Sequence, residues 1–323
     1  MKLLVNWLPR DRRRTADVAR AAEAAGFWGM GVCDSPRADE LYASIGAALD
    51  ATTTLRVGSC VTNPVTRHVS VHRSAVRTLG RTGRFFCGVG SGDSAVRDVG
   101  LRPARLAELD TFLGEMTDTA RAAACPVLVA AGGPRTAELA GHHGAGIVAG
   151  SGADPVALGA LVDAARAAQA DPSGGDAPTE CWVSLRLAVT STDAELAEAR
   201  RAFLPRAISA SRFNFARGFA AKHVPEAFHD VLRERYRRYD FAHHGAAGAN
   251  PNATLLADRP DIEDYLLDRF ALIGPADRCR ARLADLAAAG ATGAVLSVRF
   301  EDVFTAIDAA GALNAAPAGG RTS

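Results

Sequence analysis

Asp34, Asn63 and Asp93 stand where short apolar runs give way to turns, the position in an α/β protein from which a polar side chain can reach a ligand. Arg56 to His68 shows the arrangement most fully. Val57, Gly58, Cys60 and Val61 read as a buried strand, Thr62-Asn63-Pro64 stops it, and a helical pattern begins at about Thr66. Asn favours turns through its own side chain, and Pro lacks the N–H that a strand ladder needs. The other strand ends supply Asn6 and Trp7, Ser91 and Gly92, Gly132 and Gly133, Gly150, Ser151 and Gly152, Arg186, Ser297 and Arg299.

The residue types at these ends narrow the chemistry. His68 and His72 share a helix face, but the other histidines fall on other segments, and no metal-ligand spacing emerges. No Ser or Cys stands in the strand–turn–helix context of an activated nucleophile. Two successive strands end in glycine-rich turns, Gly132-Gly133-Pro134-Arg135-Thr136 and Gly150-Ser151-Gly152. A helix follows each turn, so its N–H groups and dipole can hold a phosphate, and Arg135 adds charge. A phosphate cradle without a metal or a covalent nucleophile points to a bound cofactor that carries the reaction, or to a phosphorylated substrate.

The elements that must position these residues follow one rhythm. Strands are expected over Lys2–Leu8, Phe27–Cys33, Leu55–Val61, Arg84–Gly90, Pro126–Ala131, Ala145–Ala149, Trp182–Val189 and Gly293–Val298. Helical patterns stand between them, such as Thr15–Ala25, Asp39–Ala51, Pro103–Ala123 and Pro155–Ala168. Near-continuous apolar strands suit a parallel sheet covered on both faces, and eight strand–helix units predict an α/β fold of the (β/α)8 TIM-barrel type. A doubly wound open sheet is the alternative. No linker divides the chain, so residues 1–323 are expected to form one domain, with Asp171–Pro178 only a loop. Asp193–Asp261 is far too long for a simple connection and reads as an insertion between strands seven and eight, a lid, substrate wall or dimer surface.

Composition excludes some partners. The net charge of +1 gives no electrostatic reason to expect nucleic acid or a membrane. The six cysteines form no CxxC pair and read as buried free thiols in a reducing cytosol. Met1–Val5 is too short for a signal peptide and Arg10–Arg14 follow it, so a cytoplasmic location is expected.

Four stretches together resemble the bacterial-luciferase-like superfamily of flavin and F420-dependent oxidoreductases. Gly58-Ser59-Cys60-Val61-Thr62-Asn63-Pro64-Val65-Thr66-Arg67-His68 and Phe86-Cys87-Gly88-Val89-Gly90-Ser91-Gly92-Asp93-Ser94 are similar to the third- and fourth-strand motifs of the branch that contains methylenetetrahydromethanopterin reductase. Val127–Ala140 with Ala145–Gly150 resembles the phosphate-binding half, and Phe270–Pro275 followed by Ala288-Ala289-Gly290 resembles the C-terminal signature. The resemblance implies a barrel that binds coenzyme F420 or, alternatively, FMN with its tricyclic ring in the mouth. It implies a cis peptide between Cys60 and Val61 against the ring, with Thr62 and Asn63 at the ring edge. Asp34 and Asp93 match acidic positions near the cofactor and are the candidate proton relays, although each could instead be a helix N-cap. His68 is a third catalytic candidate or a side chain that only hydrogen-bonds a loop. Gly132, Gly133, Arg135, Gly150, Ser151 and Gly152 would hold the phosphate.

Two departures bear on the pocket wall: Val69 replaces the proline that usually follows the TRH histidine, and Gly80–Arg84 is shorter than usual. The leading expectation is F420-dependent hydride transfer to or from a small organic substrate over Val61. The alternative is an FMNH2-dependent monooxygenase that inserts one oxygen atom from O2. With either cofactor, a separate flavin or F420 reductase is an expected partner. A non-redox enzyme acting on a phosphorylated substrate, and a barrel that only binds, stand further off. The resemblance also implies a homodimer.

Overall fold

Short runs rich in Val, Leu, Ile and Ala form nine strands in the computed structural model, which describes residues 1–169, 180–216, 218–241, 243, 250–299 and 301–313. The strands are β1 (Lys2–Trp7), β2 (Gly29–Val32), β3 (Arg56–Thr62), β4 (Phe85–Val89), β5 (Val127–Ala131), β6 (Gly146–Ala149), β7 (Cys181–Val189), β8 (Ala271–Gly274) and β9 (Gly293–Ser297). All their pairings are parallel. The order β6-β5-β4-β3-β2-β1-β9-β7 is closed by a β6–β7 pairing into a ring of eight. This is the expected (β/α)8 barrel.

The ninth strand, β8, lies outside the ring. β7 forks: Trp182–Arg186 pairs with β9 in the barrel wall, whereas Arg186–Val189 pairs with β8. The four residues of β8 follow a helix with no intervening turn, Ala271 being the C-cap residue of that helix, so no punctuation in the sequence sets the strand apart.

Helices alternate with the ring strands: α1 (Arg12–Ala24), α2 (Leu41–Asp50), α3 (Val69–Leu79), the short α4 (Asp93–Asp98), α5 (Leu106–Ala122), α6 (Pro134–His142) and α7 (Pro155–Ala167). Their starts are written locally. Asp11 and Asp154 accept the first free amides of α1 and α7, while Pro134 and Pro155 open α6 and α7 with a preset φ. The helix expected from Thr66 begins instead at Val69, with His68 as its N-cap.

Two layers of apolar side chains hold the barrel. An outer layer packs strands on helices and includes Val5, Trp7, Val32, Val57 and Val129. An inner layer fills the lower barrel with Leu4, Phe86, Leu128, Val148, Trp182 and Val295. Trp28 packs 4.7 Å from Trp182, centroid to centroid, and Trp7 is buried beside α1 with Nε1 donating to Thr15 Oγ1 at 3.0 Å. Both tryptophans are therefore packing residues.

After β7 the chain builds a second apolar cluster from α8 (Asp193–Phe215), α9 (His229–Arg237) and α10 (Pro260–Phe270), centred on Phe203, Phe215, Leu232, Leu256, Leu266 and Phe270. The last helices are α11 (Ala276–Ala288) and α12 (Val303–Gly311). The loop expected over 171–178 lies outside the described residues, as do residues 217, 242 and 244–249 of the expected insertion.

Candidate active site

At the C-terminal ends of the strands lies a cleft of about 630 Å³. Its floor is made by β3. The register of β3 against β4 shifts between Ser59 and Thr62, a bulge that turns Cys60 and Val61 toward the cleft, and the peptide between these two residues is cis. Burial pushes the Cys60 thiol well above its ordinary pKa, so it presents a neutral, apolar surface rather than a nucleophile.

Gly132, Gly133, Arg135 and Gly150 line one wall. Gly133 stands at the N-cap of α6 without a capping side chain, which leaves the helix start open to a ligand. Asn214 of α8 reaches over both glycine turns. A Cβ at Gly150 would sit 2.2 Å from Asn214 Oδ1, and one at Gly132 would sit 3.3 Å from it. Lys222 also lines this wall, and its ammonium donates to the carbonyl of Asn214 near the C-terminal end of α8, where a cation is favoured. Arg105, just before α5, adds a third cation.

Asp93 is the carboxylate that lines the cleft among the described residues. It is the first residue of α4 rather than its cap, and Arg97 Nε donates to its Oδ1 at 2.5 Å. Arg212 stands nearby: burial lowers its pKa, while the charge of Asp93 opposes that shift.

The other expected site residues are placed elsewhere. Asp34 accepts from Thr62 Oγ1 at 2.7 Å and from Arg67 Nη1 at 2.5 Å, and it faces a separate groove of about 360 Å³ with Arg37, Arg97 and Phe241. Thr62 is thereby occupied. Asn63 is equally committed, because its Oδ1 accepts from the amides of Val65 and Thr66 at 3.0 and 2.9 Å. Neither Thr62 nor Asn63 lines the cleft; both brace the turn that carries the bulge. His68 caps α3 through Nδ1, with Ser70 N at 3.2 Å, and borders a third hollow beside Arg102 and Glu108. Ser151 and Gly152 lie just behind the glycine wall and dock α10. The Ser151 carbonyl accepts from Arg269 Nε at 2.5 Å, and Gly152 takes φ of 70° where a Cβ would strike the Arg269 carbonyl.

Reading the sequence missed Arg105, Leu106, Leu109, Ser184, Phe213, Asn214 and Lys222, all of which line the cleft. Lys222 carried one usable signal: apart from Lys2 it is the sole lysine in a chain that otherwise uses arginine for its cations. The rest had none, because their place depends on how the insertion packs.

Comparison with known proteins identifies the family and agrees with the fold. The family described as luciferase-like monooxygenase matches residues 8–123 and 104–293. The chain belongs to that family. It is therefore an oxidoreductase. A 5,10-methylenetetrahydromethanopterin reductase of Methanolobus tindarius is 24% identical over 322 residues, covering 89% of this chain and 91% of the relative. The coenzyme F420-dependent tetrahydromethanopterin reductase of Methanopyrus kandleri has a similar fold, with a TM-score of 0.71 at 18% identity over 96% of this chain and 97% of that one. So does the oxygenating constituent of 3,6-diketocamphane monooxygenase from Pseudomonas putida, solved with FMN, with a TM-score of 0.64 at 14% identity over 96% of each chain.

Proposed function

We propose that the cleft binds coenzyme F420 and that the protein transfers a hydride between it and a small organic substrate. The observation that carries this reading is the bulged Cys60–Val61 floor facing a wall of two glycine turns with Arg105, Arg135 and Lys222. A volume of about 630 Å³ is ample for a cofactor, and the missing Cβ atoms at Gly132 and Gly150 keep the turns open beside Asn214. The similarity to a methylenetetrahydromethanopterin reductase over nearly the whole chain, together with the fold shared with a coenzyme F420-dependent tetrahydromethanopterin reductase, supports F420 over FMN.

When bound, the deazaflavin supplies a two-electron hydride donor or acceptor. The chain's own residues do the rest. The glycine turns, Arg135, Lys222 and Arg105 would hold the anionic arm of the cofactor. Cys60 and Val61 would give such a ring an apolar support, and Leu106, Leu109 and Phe213, which line the same cleft, would keep water from it. Asp93 Oδ1 is held by Arg97, so Oδ2 is the atom that accepts or returns the proton that accompanies the hydride.

The second reading is an FMNH2-dependent monooxygenase served by a separate reductase, and the FMN-bound structure of the same fold supports it. Titrating the protein with F420 and, separately, with FMN decides between them, followed by absorbance and by fluorescence quenching. Micromolar F420 binding with weak FMN binding is expected. Tight FMN binding with oxygen uptake would replace hydride transfer by oxygenation.

A further inference from the structure

Arg186 is a cation without a counterion among the described residues. It stands on β7, two residues beyond Ser184, which lines the cleft, and four beyond Trp182, which fills the barrel interior. Strand alternation gives all three the same inward face. The register sets Arg186 level with Ser297 of β9, and Ser297 level with Asn6 of β1. At that level Asn6 Nδ2 donates to Ser297 Oγ at 3.2 Å, and Cys33 Sγ donates to Asn6 Oδ1 at 3.3 Å. The inner face of the barrel is thus polar at this level, but its neutral groups are paired with one another.

Among the described residues Arg186 makes no hydrogen bond or ion pair, and its Nε is sealed from solvent. Burial is the main reason its pKa falls, to about 10, and the neighbouring Arg206 of α8 pushes in the same direction. The guanidinium therefore remains charged at neutral pH. Arg206 has the charge of Glu301 nearby and a 3.5 Å contact from Nη1 to the Val298 carbonyl, so the unbalanced charge is that of Arg186. A half-buried guanidinium whose Nε is sealed without a partner is costly unless something binds it. Its planar fork of donors suits a planar oxyanion, and one positive charge balances one negative charge.

We infer that Arg186 receives a carboxylate of the substrate, which makes the substrate a small monocarboxylic acid held beyond Ser184 toward β9. The inference rests on the reading of the cleft as the active site. It adds the substrate class and separates two anion sites: the glycine wall with Arg135 and Lys222 for the cofactor, and Arg186 for the substrate.

The test uses benzoate and propionate as probes, with methanesulfonate and inorganic phosphate beside them, titrated calorimetrically into the full chain and into R186Q, R186K, R186M and R135Q. Saturable carboxylate binding is expected, weakened about tenfold or more by R186Q and R186M, several-fold by R186K and not at all by R135Q. The ligand-free R186M protein is expected to melt higher than the unaltered chain, because a half-buried unpaired charge has gone. Carboxylate binding that is absent, or unchanged in R186Q, would overturn the inference. So would R186Q and R186M both melting several degrees lower, which would make Arg186 a structural strut. Loss of F420 or FMN binding in R186Q with no carboxylate effect would assign Arg186 to the cofactor cradle instead. If neither cofactor binds while carboxylate binding still depends on Arg186, the cofactor reading fails and the substrate site stands.

Discussion

Replacing Gly150 by alanine would put a methyl group 2.2 Å from Asn214 Oδ1 and 3.1 Å from its Cγ. Gly150 has no positive φ, so the cost is not backbone strain. The amide must retreat by about 1 Å to reach ordinary contact distance. It is anchored by its Nδ2, which donates to the Ala210 carbonyl at 2.8 Å. Turning it away forfeits that hydrogen bond, about 1 kcal/mol, and crowds the cleft wall by a comparable amount. Gly150→Ala is therefore expected to cost about 1–2 kcal/mol, a fall in melting temperature of roughly 2–4 °C per kcal/mol. It should also weaken F420 binding, because Asn214 stands beside both glycine turns. The assay is a double-mutant cycle with Asn214→Ala by chemical denaturation. The three atoms nearest to the added methyl all belong to the Asn214 side chain. Once that side chain is gone, Gly150→Ala should cost less than about 0.5 kcal/mol. An equal cost in both backgrounds would refute the claim that Asn214 is why residue 150 is glycine.

His72 is fully buried, and its pKa is lowered from 6.5 to about 4, by burial first and by the charge of Arg67 second. The unfolded chain takes up the proton first, so this contribution is complete above about pH 6.5 and about 3 kcal/mol of stability is lost as pH falls toward 4. Urea melts across that range should show the slope, and His72→Phe should flatten it. Arg269→Met should cost about 3 kcal/mol in denaturant melts, because Arg269 ties Asp154 at 2.6 Å, the Ser151 carbonyl at 2.5 Å and the Lys222 carbonyl at 2.8 Å. The same change should weaken F420 binding by loosening the glycine wall. Asp34→Asn should lower stability by about 1–3 kcal/mol through loss of the Arg67 ion pair, yet leave cofactor affinity within about twofold in fluorescence titrations. Arg135→Gln and Lys222→Met should each weaken F420 binding by about threefold to tenfold and flatten its dependence on salt concentration.

The barrel was legible in the sequence because its information is local. Apolar runs such as FFCGV and VLVAA reveal buried strands by composition, and Asp154-Pro155 announces a helix start by its own capping chemistry. The glycine turns were legible for the same reason, since a close backbone approach must be written at the residues that make it, whereas the Cys60–Val61 bulge was legible only through the family resemblance. Tertiary structure decided which polar groups are free to act. Asp34, Thr62, Asn63 and His68 carry the right chemistry for a site, but each is consumed by a neighbour: Arg67, Asp34, the turn amides and Ser70. Asn214 and Lys222 reach the cleft only because the apolar cluster of the insertion sets α8 over the glycine turns, and β8 exists only because β7 outruns its partner in the ring. A side chain's type is a property of one residue. Whether it faces a ligand or a partner depends on segments tens to hundreds of positions away, and that is settled only when the apolar surfaces of those segments pack.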